Sequence, residues 1–372
     1  MKIFYLTGLL SPYRIEWMNA LSKENEIFAY YISSDEKTRE KAWLDSRKPC
    51  FSTKKAARSK LLRELPARSF LSEALSGGFD IYIIDGYSSL IKLKTISTLL
   101  KNHKKVFINI DGIDIWREKT KADIIKDAVK RWVFRSGAYF LCGSEIAQKT
   151  VIDGGAEEDK VFVHPFTSLH KEDIIPPGQK SSLQKKYKEK LNLSGKKVAL
   201  AAGRFIQLKK YDVLIKAWKD MPDGCVLYII GGGEEKESYE RLIKESGVKN
   251  IVLMDFMLPE KLSEYFCAAD MFVHPSSTET WGLVINEAMA KGCPVISTDR
   301  CVAAAELIKD GENGFLIKVG DIEQLRKKMC EVLFDDLLRE KMMNNAVKTI
   351  EPFTYENLAD THLRIFRNIL AR

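Results

Sequence analysis

The chain has 372 residues, 45% hydrophobic and 30% charged, a composition that suits a globular protein of two ordinary domains. No apolar run reaches the roughly 20 residues that cross a bilayer. Seven scattered cysteines without a CxxC pair and five histidines without an HxxxH cluster argue against a disulfide framework or a metal cage and for a reduced, cytoplasmic interior. The formal net charge of +8 is uneven: residues 1–190 carry 34 Lys/Arg against 24 Asp/Glu, and the remainder 25 against 27.

The opening Met1-Lys2 followed by IFYLTGLL has the look of a signal peptide. It is short, however, runs into Ser11-Pro12-Tyr13-Arg14 and lacks a small-residue cleavage site, so a buried first strand and its loop are expected. After it come strand-length apolar runs EIFAYYI, DIYIID, KVFINID, AYFLCG and KVFVHP, interleaved with helical stretches such as PYRIEWMNALSK and SSLIKLKTISTLLKN. This alternation predicts a parallel sheet covered on both faces. The positive charge is densest over 36–68 and 117–135, and the second stretch spaces Ile124, Ile125, Ala128, Trp132 and Val133 along one predicted helical face. Such a surface is either simply solvated or attracts anionic lipid headgroups or a pyrophosphate-linked acceptor. Nucleic acid is not expected, because no helix-turn-helix or aromatic-interleaved signature accompanies the charge.

Residues 176–195, with Pro176-Pro177-Gly178 and a lysine-rich run, interrupt the pattern and are expected to link a domain at 1–175 to a second at 196–352. There the alternation restarts: KKVALAAGR, a helix at YDVLIKAWKDM, the strand and turn CVLYIIGGG, a helix at KESYERLIKES, then strands NIVLMDF, DMFVHP and PVIST. A helix over about 282–291 lies between the last two strands, and an amphipathic helix over 353–372 closes the chain. Ligands of such sheets sit at the carboxyl ends of the strands.

Three segments carry chemistry. In HPSSTETWGLVINEAMAKGCPVIST (274–298) a strand ends, a loop holds Glu279, and a helix starting near Gly282 carries Glu287. Its first N–H groups lack intrahelical partners and stand at the positive end of the dipole, which makes a phosphate cradle. Glu287 is suited to accept two ribose hydroxyls, and Glu279 stands where a sugar would lie. In AAGRFIQLKKYDVLIKAW (201–218) a strand ends at Gly203, Arg204 follows at its mouth, and Lys209 precedes the next helix. Two such cations would neutralise the charge that grows on a departing diphosphate. GGGEE (231–235) is a glycine-rich strand-to-helix turn, with Gly231 and Gly232 placed to line a base pocket.

With GRFIQLKKYDVLIKAW, YIIGGGEE and SSTETWGLVINEAMAKGCPVIST in this order and spacing, the chain resembles a family 4 glycosyltransferase. The resemblance implies the GT-B fold: two Rossmann-like doubly wound domains facing a cleft, with the C-terminal helix crossing back to the N-terminal domain. It implies that Arg204 and Lys209 hold the donor pyrophosphate and that Glu287 binds the ribose. Glu279, with Thr280 and the backbone of Trp281, Gly282 and Leu283, would take the sugar and distal phosphate. In two places the chain departs from the family. Lys210 stands where glycine is usual after the lysine, and Asp111 occupies the strand end where many members have a histidine.

The expected reaction is transfer of a hexose-type sugar from a nucleotide diphosphate donor to an acceptor hydroxyl with retention, without metal or other cofactor. The leaving phosphate oxygen would take the acceptor proton, and Asp111 would stabilise positive charge at the anomeric carbon. A lipid-linked glycan of envelope or capsular polysaccharide is the expected acceptor, at the inner membrane face. The rival reading is a nucleotide-sugar-binding or membrane-docking protein of this architecture without turnover. An epimerase or phosphorylase of the same fold lacks support in the motifs.

Overall fold

The computed structural model describes the chain except residues 34–40, 60–61, 63, 114 and 117–122. The chain forms two compact units. The first comprises Met1–Ile113, Arg117–Thr167 and Tyr355–Arg372, and the second Asp114–Trp116 and Ser168–Thr354.

In chain order the first unit holds β1 (Lys2–Thr7), α1 (Pro12–Ser22), β2 (Glu26–Tyr31), α2 (Lys41–Leu44), β3 (Ser52–Lys55), α3 (Arg68–Ser76) and β4 (Ile81–Asp85). There follow α4 (Leu90–Lys101), β5 (Val106–Ile110), α5 (Asp123–Phe134), β6 (Tyr139–Cys142), α6 (Glu145–Asp153) and β7 (Val161–Val163). All strands are parallel, in the order β3-β2-β1-β4-β5-β6-β7, so the winding reverses between β1 and β4. β1, β4 and β5 are buried along essentially their whole length, which is why they read as continuous apolar runs and not as alternations.

The second unit holds α7 (Lys180–Lys190), β8 (Lys197–Ala202), α8 (Tyr211–Ala217), β9 (Cys225–Ile230), α9 (Lys236–Ser246), β10 (Ile251–Met254) and α10 (Pro259–Ala268). These are followed by β11 (Met271–His274), α11 (Leu283–Ala290), β12 (Val295–Thr298), α12 (Val302–Leu307), β13 (Gly314–Ile317), α13 (Ile322–Phe334) and α14 (Asp336–Ile350). Its sheet is parallel with the order β10-β9-β8-β11-β12-β13, reversing between β8 and β11. The stretch expected to link domains is built into this unit. α7 is anchored by buried Lys180, whose ammonium donates to the Phe266 and Cys267 carbonyls at 2.8 and 3.0 Å, and by Lys188, paired with buried Asp270 at 2.7 Å.

Finally α15 (Tyr355–Leu370) rejoins the first unit. It buries Leu358, Leu363, Phe366 and Ile369 against Trp17, Met18 and Leu21 of α1 and against Tyr5 and Phe107 of the sheet. No described helix is long and apolar enough to cross a membrane. All seven cysteines are free thiols.

α5 carries the apolar face expected from its spacing. Val133 and Phe134 are buried, but Ile124, Ile125 and Trp132 are 69%, 74% and 45% exposed, with Ala128, Arg131 and Arg135 exposed beside them. Four of the five residues of this face, all but Val133, therefore point outward. The remainder of the basic stretch, 117–122, lies outside the described residues.

Candidate functional site

The second sheet reverses its winding at β8 and β11, and the loops leaving those two strands meet there. Leu208, after β8, accepts from the Ser277 backbone N–H at 2.8 Å and from its hydroxyl at 3.2 Å. The Lys209 ammonium donates to Glu279 Oε2. A crevice at such a reversal is where doubly wound sheets bind ligands.

Local sequence explains how each side chain gets there. Gly203 has φ +149°, and a Cβ on it would stand 2.9 Å from the Tyr211 hydroxyl and 3.6 Å from Lys209 Cε. A side chain there would crowd the Tyr211 hydroxyl in a backbone conformation that L residues rarely adopt, while the lysine stem passes at ordinary contact distance. Lys210, which ends the turn, takes φ +53° and ψ +36°, a left-handed conformation that L side chains adopt at a cost. Arg204 is exposed at the end of β8, with no side-chain partner recorded among the described residues. Below it Phe205, Tyr211 and Tyr239 pack edge to face with ring centroids 5.7–5.9 Å apart.

The triple-glycine turn after β9 presses on this same loop. A Cβ on Gly231 would fall 1.9 Å from the Gly203 carbonyl oxygen, and one on Gly233 2.5 Å from that of Phe205. The Phe205 N–H donates to the Gly232 carbonyl at 2.7 Å. These glycines are therefore required by backbone packing, whatever else they line.

Glu279 is held by its own backbone. Its N–H donates to the Arg300 carbonyl at 3.0 Å and its carbonyl accepts from Val302 N–H at 3.2 Å, tying it to the loop after β12. Gly282 caps α11 at φ +105°, and a Cβ there would stand 2.9 Å from Cys301 Sγ and 3.4 Å from Glu279 Cγ. Trp281 is buried, its indole N–H donating to Asn286 Oδ1 at 3.0 Å, while its carbonyl accepts from Ala303 N–H at 2.9 Å. Its ring thus anchors the loop. In the opening turn of α11 the Ile285 N–H donates to the Gly282 carbonyl at 2.9 Å, and the Leu283 and Val284 N–H groups ahead of it precede any intrahelical acceptor. Thr280 is exposed at the loop's tip.

On α11, Glu287 accepts from the Ser168 hydroxyl at 3.0 Å. Burial pushes its carboxyl pKa up to about 7, with the Ser168 hydrogen bond pulling the other way. Behind the loop, fully buried His274 ends β11 with Nε2 3.1 Å from Ser276 Oγ and 3.8 Å from Glu279 Oε2. Burial, with Lys209 adding to it, drops the imidazole well below its usual range and keeps it neutral. His274 was not anticipated from sequence. Its HPSS context identifies a strand end, but nothing in it distinguishes a ring turned inward from one turned outward.

The first unit carries a second polar cluster at its own reversal point. Asp111, directly after β5, has Oδ2 paired with Arg14 Nη2 at 2.7 Å and accepting from the Tyr13 hydroxyl at 3.3 Å. Arg14 Nε also pairs with Asp85 Oδ2, at the end of β4, at 2.6 Å. Asn109 Nδ2 donates to Asp85 Oδ1 at 3.1 Å and to Asp111 Oδ1 at 2.5 Å, and Thr7 donates to Asp85 at 2.8 Å. Buried Lys92 donates to the Asp85 carbonyl. Burial raises the Asp111 pKa despite Arg14. For Asp85 the same burial is outweighed by Arg14 and Lys92, so its pKa is lowered. Asp111 and the residues of the second unit thus occupy separate clusters, one in each unit. Arg14, Asp85 and Lys92 were missed, although DIYIID85G and NID111G are visibly parallel strand ends.

Comparison with known proteins agrees with this reading of the second unit. Residues 184–349 match the family model described as glycosyl transferases group 1. The lipopolysaccharide core biosynthesis glycosyltransferase LpsE of Rhizobium meliloti is 31% identical over 45% of this chain and 49% of its own. The poly(glycerol-phosphate) alpha-glucosyltransferase of Bacillus subtilis is 26% identical over 59% of this chain and 31% of its own. The chain spans about half or less of the length of these curated relatives. Over the full length of both chains, Anabaena HepE solved with UDP superposes with a TM-score of 0.78 at 16% identity, a likeness of fold, and it has also been solved with UDP-glucose.

Proposed function

We propose that this chain, a member of the glycosyl transferases group 1 through its second unit and a GT-B protein by fold, is a retaining, metal-independent glycosyltransferase. It moves a hexose-type sugar from a nucleotide diphosphate to an acceptor hydroxyl. The observation that carries the reading is the meeting of Lys209 and Glu279 at the β8/β11 reversal, beside the open N-terminus of α11.

In this mechanism Arg204, Lys209 and the first turn of α11 receive the diphosphate, Gly231 and Gly232 border the base, and Glu287 accepts the ribose hydroxyls. Glu279 and Thr280 take the sugar. The bond from the anomeric carbon to the phosphate oxygen lengthens while these cations and N–H groups stabilise the charge left behind. The acceptor oxygen attacks from the same face and its proton passes to the departing phosphate oxygen, so no separate general base is needed. Retaining glycosidases flank the bond with two carboxylates about 5 Å apart. Here Glu279 and Glu287 each have a binding task instead. Asp111, fixed by Arg14 and Asn109, is assigned to stabilise the oxocarbenium-like carbon.

Measuring turnover with each nucleotide sugar, and reading the anomeric configuration of the product by NMR, tests this. Arg204→Ala and Lys209→Ala are expected to lose roughly 10²–10³-fold in turnover, the scale for one preorganised charge-stabilising donor. Wild-type rates in both, or an inverted product, would remove the mechanism.

For the acceptor, we propose a lipid-linked glycan of the envelope or capsule, reached from an anionic membrane surface. The outward Ile124, Ile125 and Trp132 beside Arg131 and Arg135 support this, since such a face gains from both apolar burial and charge. Flotation with phosphatidylglycerol vesicles should bring the protein up at low salt, less at high salt, and less for Ile125→Ser/Trp132→Ser. Absence of binding at low salt would end the idea. One observation favours a rival, a binding protein without turnover: Asp111 is fully engaged by Arg14, Tyr13 and Asn109. Transfer or donor hydrolysis above background decides against it.

A further inference from the structure

The lysine assigned to the diphosphate already has an anionic partner within the chain. Lys209 is paired with Glu279, and the two side chains are only 12% and 24% exposed, so solvent screens the pair less than it would a surface one. Glu279 has little freedom to retreat. Its backbone is bound on both sides to Arg300 and Val302, and its stem lies against Gly282. Behind it stands fully buried His274, whose Nε2 is 3.8 Å from the carboxylate. A neutral imidazole offers Glu279 no second positive charge once Lys209 turns away.

A diphosphate therefore engages Lys209 only by sharing or displacing Glu279, and a fixed carboxylate is then left facing an anion at close range. The unfavourable juxtaposition is relieved when hydrogen-bond donors occupy the carboxylate, and the hydroxyls of a sugar are such donors. We propose that Glu279 is a specificity-determining counter-ion. It disfavours a bare nucleoside diphosphate and is satisfied by one that still carries its sugar, so the same carboxylate retains the donor and helps to eject the product. This deepens, and rests on, the donor-site reading above.

The test is calorimetric titration of the full chain with UDP and UDP-glucose, GDP and GDP-mannose, and ADP and ADP-glucose. The pair that binds wild type is then repeated on Glu279→Gln and Lys209→Ala. Glu279→Gln keeps the side-chain shape and removes the charge. It is expected to bind the diphosphate about tenfold more tightly than wild type, the scale of one partly screened charge contact, and to lose the preference for the nucleotide sugar. Lys209→Ala is expected to weaken both ligands. If folded Glu279→Gln binds the diphosphate no better than wild type while wild type still binds the nucleotide sugar, the counter-ion role is overturned and the donor site stands. Failure of wild type to bind any of the six overturns the donor-site reading and this inference with it. Should Glu279→Gln not fold, Glu279→Asp draws the carboxylate back from Lys209. Some tightening of the diphosphate is then expected, and none would overturn the proposal.

Discussion

The indole N–H of Trp17 donates to Nδ1 of His362 at 2.9 Å, joining α1 to α15 across 345 residues of sequence. Because indole is only a donor, this contact fixes the His362 proton on Nε2, which has no hydrogen-bond partner among the described residues. The ring of His164 lies 4.7 Å from that of His362, with both its nitrogens buried and without a partner among the described residues. Burial lowers the His164 pKa to about 3 and holds His362 well below its usual value.

Acid should therefore loosen the seat of α15. In the unfolded chain both rings take up protons below about pH 6.5. Folded, they stay neutral, so the unfolded state binds more protons and stability falls as pH drops from about 6.5 towards the folded values. Each ring contributes a slope of up to about 1.4 kcal/mol per pH unit in that window. Urea unfolding at pH 7 and pH 5 measures it. His164→Phe should show a shallower slope, and a flat wild-type profile would contradict the assignment.

Donor affinity should depend on the charge of Glu287. With its pKa raised to about 7 by burial, the carboxylate assigned to the ribose hydroxyls is substantially protonated below neutrality. Binding is expected to weaken as pH falls from 8 to 6. Glu287→Gln should bind more weakly at pH 8 and lose most of the pH dependence. Titration of the nucleotide sugar at both pH values checks this.

Arg14 should act through Asp111. It holds that carboxyl down against burial, so Arg14→Gln is expected to raise the Asp111 pKa further and move the acid limb of kcat/KM to higher pH. A structural role alone would lower activity without moving the limb. Asp111→Asn should lower kcat by roughly 10²-fold or more if the carboxylate stabilises developing positive charge.

Lys210 sits in a left-handed conformation that costs an L residue about 1–2 kcal/mol, partly offset by the greater chain entropy of glycine. Lys210→Gly is expected to raise stability by about 0.5–1 kcal/mol and the melting temperature by a degree or more. A lower melting temperature would show that the lysine side chain contributes more than its backbone costs.

Continuous apolar runs such as IYIID and VFINI betrayed the buried strands, because parallel strands covered on both faces need no polar face. β3, with the sequence STKK, is an exposed edge strand and carries no such signal, and β13, GFLI, is short enough to pass for a loop. The residues proposed to hold the donor stood out through the spacing of short motifs around two strand ends. Buried partners such as His274, Asp85 and Lys92 did not, because their significance depends on which side chains the reversal points bring together. On α5 the helical periodicity was visible, but periodicity cannot say whether an apolar stripe faces the core or the outside, and Ile124 and Ile125 face out.

The return of α15 to the first sheet reverses the order in which the two halves finish during synthesis. All of Ser168–Thr354 emerges from the ribosome before the residues that complete the earlier half. Until Phe366 and Ile369 are out, Trp17, Tyr5 and Phe107 lack the helix that covers them. The nascent first half must wait with an open apolar flank, so its vulnerability to chaperone capture and proteolysis lasts until α15 has emerged.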